Sequence, residues 1–259
     1  MPENCQLVSD SGVTKSGKSF ADLFILGILA GAYIALAAAG SSMIAFNLLS
    51  NPETYGLGRC LAGFIFPCGL ILVVLAGAEL FTGNVMMLLP MTQRRISLFG
   101  LLRNWMIVYA SNFIGAVFVA FLIYHSGHLN AGNRMLESVT IGIATSKCSL
   151  NFTAAFALGI ICNWLVCLAV WMAIGAKETA GKILAMFFPV WLFVALGSEH
   201  SIANMYYIPI GLLAAQAPWS GEPLSWANFF TANLLPVTLG NIVGGGVLVA
   251  LAYGCVHRK

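Results

Sequence analysis

Glu79, Glu199 and His200 are the ionisable residues that lie deep inside long apolar stretches; the other charged residues gather near the ends of such stretches. A charge surrounded by hydrocarbon is costly and marks a solute or proton path by default, so His200 reads first as a pathway group and second as a packing histidine. The glutamates leave two roles open. Each begins a Glu-x4-Asn element, Glu79 to Asn84 and Glu199 to Asn204. A carboxylate beside an interrupted helix can accept freed backbone N–H groups as readily as it can serve a solute. Its occurrence twice favours the structural role. Other chemistry has little support. The seven cysteines, Cys5, Cys60, Cys68, Cys148, Cys162, Cys167 and Cys255, contain no Cys-x-x-Cys pair. His125 and His128 have no acid or thiol near them in sequence. No metal site and no cofactor is expected, and an intramembrane enzyme, which needs a ligand cluster or a nucleophile with its base, is the weaker reading.

The surroundings of these residues fix the class of molecule. Of 259 residues, 59% are hydrophobic and 8% charged, against roughly a quarter charged in ordinary soluble domains. The long apolar runs exclude a soluble fold and predict an all-α integral membrane protein in a lipid bilayer. A net charge of +3, with its basic residues scattered, gives no footprint for nucleic acid. Residues 1–19 are polar and lack a signal-peptide pattern. Six later stretches can each cross about 30 Å of hydrocarbon: Phe20–Leu49, Cys60–Pro90, Asn104–Tyr124, Leu150–Ala176, Ile183–Gln216 and Leu224–Val256. Six crossings put both termini on one side. With that side cytoplasmic, it holds Lys15, Lys18, Arg94, Arg95, Arg103, Lys177, Lys182, Arg258 and Lys259, against Arg59, Arg134 and Lys147 outside. The positive-inside rule therefore predicts a multi-pass protein of the cytoplasmic membrane with cytoplasmic termini. Its divisions are a cytoplasmic segment over 1–19 and one membrane domain over 20–259.

That domain repeats itself. Phe20, Phe24 and Leu26-Gly27-Ile28 of the first span are answered by Phe152, Phe156 and Leu158-Gly159-Ile160 of the fourth, 132 residues on. Gly77-x-Glu79-x4-Asn84 is answered by Gly197-x-Glu199-x4-Asn204 at 120, and Asn104-x7-Asn112-x2-Gly115 by Asn233-x7-Asn241-x2-Gly244 at 129. The halves, about 20–125 and 150–256, each have three spans, so the second enters from the opposite face. Inverted repeats place a solute site near the midplane, commonly at discontinuous helices. Spans two and five are longer than one crossing needs. Gly83 after Thr82 in one, and Gly197-Ser198 in the other, mark the expected interruptions, which survive in a membrane only when buried or lining a cavity. Gly27-x3-Gly31 and Gly240-x3-Gly244 read as close helix-packing faces. A channel or transporter accounts for repeat and breaks together; a structural or receptor protein leaves both unexplained.

Three strings carry a resemblance: Gly77-Ala78-Glu79-Leu80-Phe81-Thr82-Gly83-Asn84, Glu199-His200-Ser201-Ile202-Ala203-Asn204-Met205, and Pro236-Val237-Thr238-Leu239-Gly240-Asn241-Ile242-Val243-Gly244-Gly245-Gly246. With them the chain, from about Lys15 onward, resembles the formate/nitrite transporter family. The resemblance implies an aquaporin-like protomer, a homopentamer with one pore per subunit, and small inorganic or one-carbon anions as solutes. Carried over by position, His200 matches the central pore histidine, with Glu199 beside it. Asn163 matches an asparagine near that histidine, and Thr82 the threonine of the second-span break. Phe66, Leu70, Phe81, Val166 and Phe193 match side chains that narrow the pore. Lys147 matches an outer-vestibule lysine, against the solvated-loop reading that its own position gives. Thr82-Gly83-Asn84 departs from the Thr-Ser-Thr of formate channels and looks more like the nitrite and hydrosulfide branches.

Such a site must offset lost anion hydration, on the order of 20 kcal/mol by idealised Born arithmetic. A histidine can donate a hydrogen bond to the anion or lend it a proton. Hydrosulfide, the smallest of the three and the anion of the weakest acid, is the first expectation. Nitrite or formate, with or without proton coupling, are the alternatives.

Overall fold

The computed structural model describes residues 2–257; Met1 and the basic pair Arg258 and Lys259 lie outside them. Among the described residues the chain is helical and contains no strand. Helix α1 (Pro2–Ser16) precedes the first crossing, α2 (Phe20–Leu49), whose start is capped by Ser19 Oγ accepting from the Asp22 N–H. The second crossing comprises α3 (Tyr55–Ile65), α4 (Pro67–Leu75), a break, then α5 (Phe81–Asn84), a 3₁₀ turn and α6 (Leu88–Thr92). Helix α7 (Leu98–His125) is the third crossing, α8 (Ala131–Cys148) a connecting helix and α9 (Phe152–Gly175) the fourth crossing. The fifth is α10 (Thr179–Ala195), a second break and α11 (Ser201–Ala214). The sixth runs over Trp226–Val256 as α12 (Trp226–Asn228), α13 (Leu235–Ile242) and α14 (Ala252–Val256), joined by two π-helical stretches.

Five crossings are long apolar helices and the fifth-span pass is made by two shorter ones, so the six predicted spans and the interruption of spans two and five match the fold. The break in span two is not at Gly83. It falls at Ala76–Leu80, where Gly77 takes φ +78 and the Ala78 N–H reaches the Val73 carbonyl at 2.8 Å. Gly197 takes φ +73 and the Ser198 N–H reaches Phe193 at 3.1 Å. Both are left-handed helix terminations of the Schellman type, for which glycine has no steric penalty. Gly83 instead lies inside α5.

The halves repeat in detail. Helices α2 and α7 cross so closely that a Cβ on Gly31 would fall 2.0 Å from the Asn112 carbonyl, and α9 and α13 so closely that one on Gly240 would fall 2.2 Å from the Phe156 carbonyl. The repeat also extends beyond the spans, because α1 stands before α2 as α8 stands before α9. Within residues 2–19, α1 packs on the bundle: Asp10 pairs with Arg95 at 2.6 Å, Ser9 donates to Gln93, and Cys5 and Val8 are buried.

Candidate functional site

Each break is held by the same set of side chains. In the first half the Asn112 amide donates to the Gly27 carbonyl at 2.7 Å and the Glu79 carbonyl at 2.9 Å, and its oxygen accepts the Phe81 N–H at 2.9 Å. In the second, Asn241 donates to Gly159 at 2.8 Å and to Glu199 at 3.0 Å and accepts from the Ser201 N–H at 2.9 Å. A broken helix leaves such groups without intrahelical partners, and apolar surroundings offer none. Two asparagines predicted only as repeat markers therefore satisfy the unwound backbone.

The carboxylates form the second layer. Asn84 Nδ2 donates to Glu79 at 2.7 Å and to Asn104 Oδ1 at 2.9 Å; Asn204 Nδ2 donates to Glu199 at 2.6 Å and to Asn233 Oδ1 at 2.7 Å. Lys15 Nζ reaches Glu79 at 2.9 Å, and Lys147 Nζ reaches Glu199 at 2.7 Å. Lys147 lies in the last turn of α8 with its side chain 15% exposed, over the Tyr207 ring and 5.5 Å from its centroid. It is no solvated loop residue. Glu79 has a further cation, Lys18 at 2.8 Å, which Glu199 lacks among the described residues.

The halves part company at the start of the second half-helices. His200 is the N-cap of α11, and the Ala203 N–H donates to its Nδ1 at 3.1 Å. In the neutral ring the proton is then on Nε2, 3.0 Å from Thr82 Oγ1 in α5. The starts of both half-helices therefore meet at one histidine–threonine contact. Their positive dipole ends and two side-chain donors converge on one buried point, which suits an anion. Asn163 Nδ2 donates to the Thr82 carbonyl at 3.1 Å and to Asn241 at 2.7 Å, and Cys167 Sγ donates to the same Thr82 carbonyl at 3.3 Å. Asn163 Oδ1 is buried with no partner within the protein.

Two cavities flank the breaks, one beside Glu79 and one beside Glu199 and His200. One, about 430 Å³, lies against α1 and is lined by Lys15, Lys18, Glu79, Leu70 and Leu80. The other, about 570 Å³, is lined by Arg59, Lys147, Glu199, Phe66, Phe193 and His200. Phe66 and Phe193 meet edge to face at 5.6 Å, and Phe193 stacks near His200 at 6.0 Å. Leu70 lies on the α1 side. Val166 and Phe81 are buried but line neither cavity, the Phe81 ring packing on Tyr109 at 4.8 Å. Among the described residues no group of three or more possible metal ligands exists. Sequence reasoning missed Lys15, Lys18 and Arg59 as cavity residues. The first was within reach, since Lys15 and Lys147 share the 132-residue offset of spans one and four.

Comparison with known proteins covers nearly the whole chain. A model described as formate/nitrite transporter matches residues 2–255. A probable formate transporter of Methanothermobacter thermautotrophicus is 42% identical over 92% of this chain and 89% of its own. The formate channel BtFdhC of Bacillus thuringiensis is 38% identical over 98% and 94%. A solved pentameric formate channel with formate bound superposes with a TM-score of 0.83 at 36% identity, covering 93% of this chain and 98% of that one.

Proposed function

The chain belongs to the formate/nitrite transporter family, and from that premise we propose that it passes small monovalent anions across the cytoplasmic membrane through a pore centred on His200 and Thr82. The observation that carries the reading is the 3.0 Å contact between His200 Nε2 and Thr82 Oγ1 where the two half-helices begin. An anion arriving from either cavity exchanges its water for the Nε2–H, the threonine O–H and two helix starts. The histidine acts as a hydrogen-bond donor rather than a proton source. A second ring proton would set Nδ1–H against the Ala203 N–H, and loss of the Nε2 proton would leave an imidazolate. Phe66 and Phe193 narrow the pore on one side of the centre and Leu70 on the other, with Val166 and Phe81 backing them.

Relatives named formate channels or transporters make formate the first solute to test. Hydrosulfide or nitrite is the second reading, supported by Thr82-Gly83-Asn84, where a Cβ on Gly83 would meet nothing within 4 Å. The pentameric state of the solved neighbour supports a homopentamer here, and the bias of nine basic residues to three supports cytoplasmic termini. Influx of formate, nitrite, hydrosulfide and lactate into proteoliposomes tests the reading. Saturable flux of at least one of the first three, with lactate slower, is expected; no flux above empty vesicles would overturn it.

A further inference from the structure

The two mouths of the pore carry equal charge by unequal means. Around the α1-side cavity, Lys15 and Lys18 both bind Glu79, which leaves one positive charge in excess. Around the other, Lys147 is matched by Glu199, so that pair is close to neutral and the excess charge is Arg59. Arg59 stands on α3, in the first half, at a position without a basic counterpart in the repeat: 120 residues on is Thr179. Among the described residues it has no carboxylate partner. Its Nη2 donates to the Val194 carbonyl at the end of α10 and packs against the break, where a Cβ on Gly197 would lie 3.1 Å from it. The next residue, Ser198, lines the same cavity, and its Oγ is buried with no partner within the protein.

We propose that Arg59 and Ser198 form an anion station at this mouth, where a monovalent anion docks on the guanidinium and the serine hydroxyl before it reaches His200. The inference rests on the anion-pore reading above. Arginine is suited to the task because one N–H can stay on the Val194 carbonyl while four remain for a ligand. Lys147 cannot do the same work, since releasing it toward an anion would leave Glu199 buried without its cation. The rim-facing charge that gathers anions at this mouth is thereby assigned to Arg59, and Lys147 belongs to the frame of the break.

The test is formate influx from this mouth, measured in vesicles of one orientation at low and high concentrations of an inert salt. Arg59→Gln is expected to raise the half-saturating formate concentration by about tenfold at low salt, the lower end of focusing effects. Maximal flux should stay close to the parent's, and Arg59→Lys should recover most of the loss. Added salt should erase the difference between Arg59→Gln and the parent, because screening acts within about 10 Å at 0.1 M. Equal half-saturation in Arg59→Gln and the parent overturns the station. So does a loss of maximal flux at every salt concentration, which would make Arg59 only a clamp on α10. If Arg59→Gln does not assemble, Ser198→Ala reads the same station with the Val194 contact intact: raised half-saturation supports it and parental half-saturation overturns it. A parent that passes none of formate, nitrite or hydrosulfide overturns the pore reading as well; a conducting parent with an unaltered variant overturns the station alone.

Discussion

The two breaks, seen side by side, separate what builds the pore from what uses it. Around Glu79 and around Glu199 the same bonds recur within a few tenths of an ångström: the asparagine on two carbonyls, the second asparagine on the carboxylate, the lysine behind it. At the centre the likeness stops, since Leu80 stands where the other half has His200 and Thr82 where it has Ile202. On the pore reading proposed above, the repeated chemistry is scaffold and the unrepeated chemistry faces the solute. The deep glutamates, whose role the sequence leaves open, fall on the scaffold side. The centre draws one donor from each half, so neither half alone makes a site.

The scaffold side of this comparison predicts equal damage in both halves. Asn112→Leu and Asn241→Leu each strip two carbonyls and one N–H of their buried partners. At roughly 1–3 kcal/mol for each orphaned group, both should lower thermal stability in detergent sharply. A strong loss in one half with none in the other would break the equivalence. A smaller and deliberately unequal effect is expected of the lysines. Lys147→Met leaves Glu199 buried without a cation, a change of about 3–5 kcal/mol, whereas Lys18→Met leaves Lys15 on Glu79 and should cost under about 1 kcal/mol. Equal melting shifts for the two would refute the view that Lys18 is surplus at its mouth. Orientation should show as a labelling pattern with no stability change. In a background lacking the exposed Cys68 and Cys255, an impermeant thiol reagent added to intact cells should reach Asn133→Cys and not Lys177→Cys; the reverse pattern would invert the topology.

Much of this was legible because the repeat leaves the same residue types at constant offsets. Gly77 and Gly197, Asn112 and Asn241, and the Glu-x4-Asn pair could be read directly, and they include the groups that the breaks require. The break in span two was misplaced to Gly83 because a glycine in sequence does not show its φ; alignment on Gly197 points to Gly77. Helices α1 and α8 escaped notice because they carry short buried stripes, Cys5 and Val8 in one and Leu136, Thr140, Ala144 and Cys148 in the other, too little to stand out against apolar spans. Ser19 and Asn151, capping α2 and α9 at matching repeat positions, were the available signal. Arg59 could not be found this way, since it breaks the repeat and its meaning depends on which cations have carboxylates.

At the centre, replacing His200 by asparagine should leave a donor near Thr82 and retain part of the flux, while replacing it by phenylalanine should keep the bulk and remove the donor. The most direct measurement is therefore formate, nitrite and hydrosulfide flux through purified His200→Phe protein in proteoliposomes, with its melting temperature and assembly state matched to the parent. Flux reduced by about tenfold or more is predicted, since a hydrogen bond to a charged group contributes about 1.5–3 kcal/mol. Parental flux in a correctly folded His200→Phe protein would contradict the account.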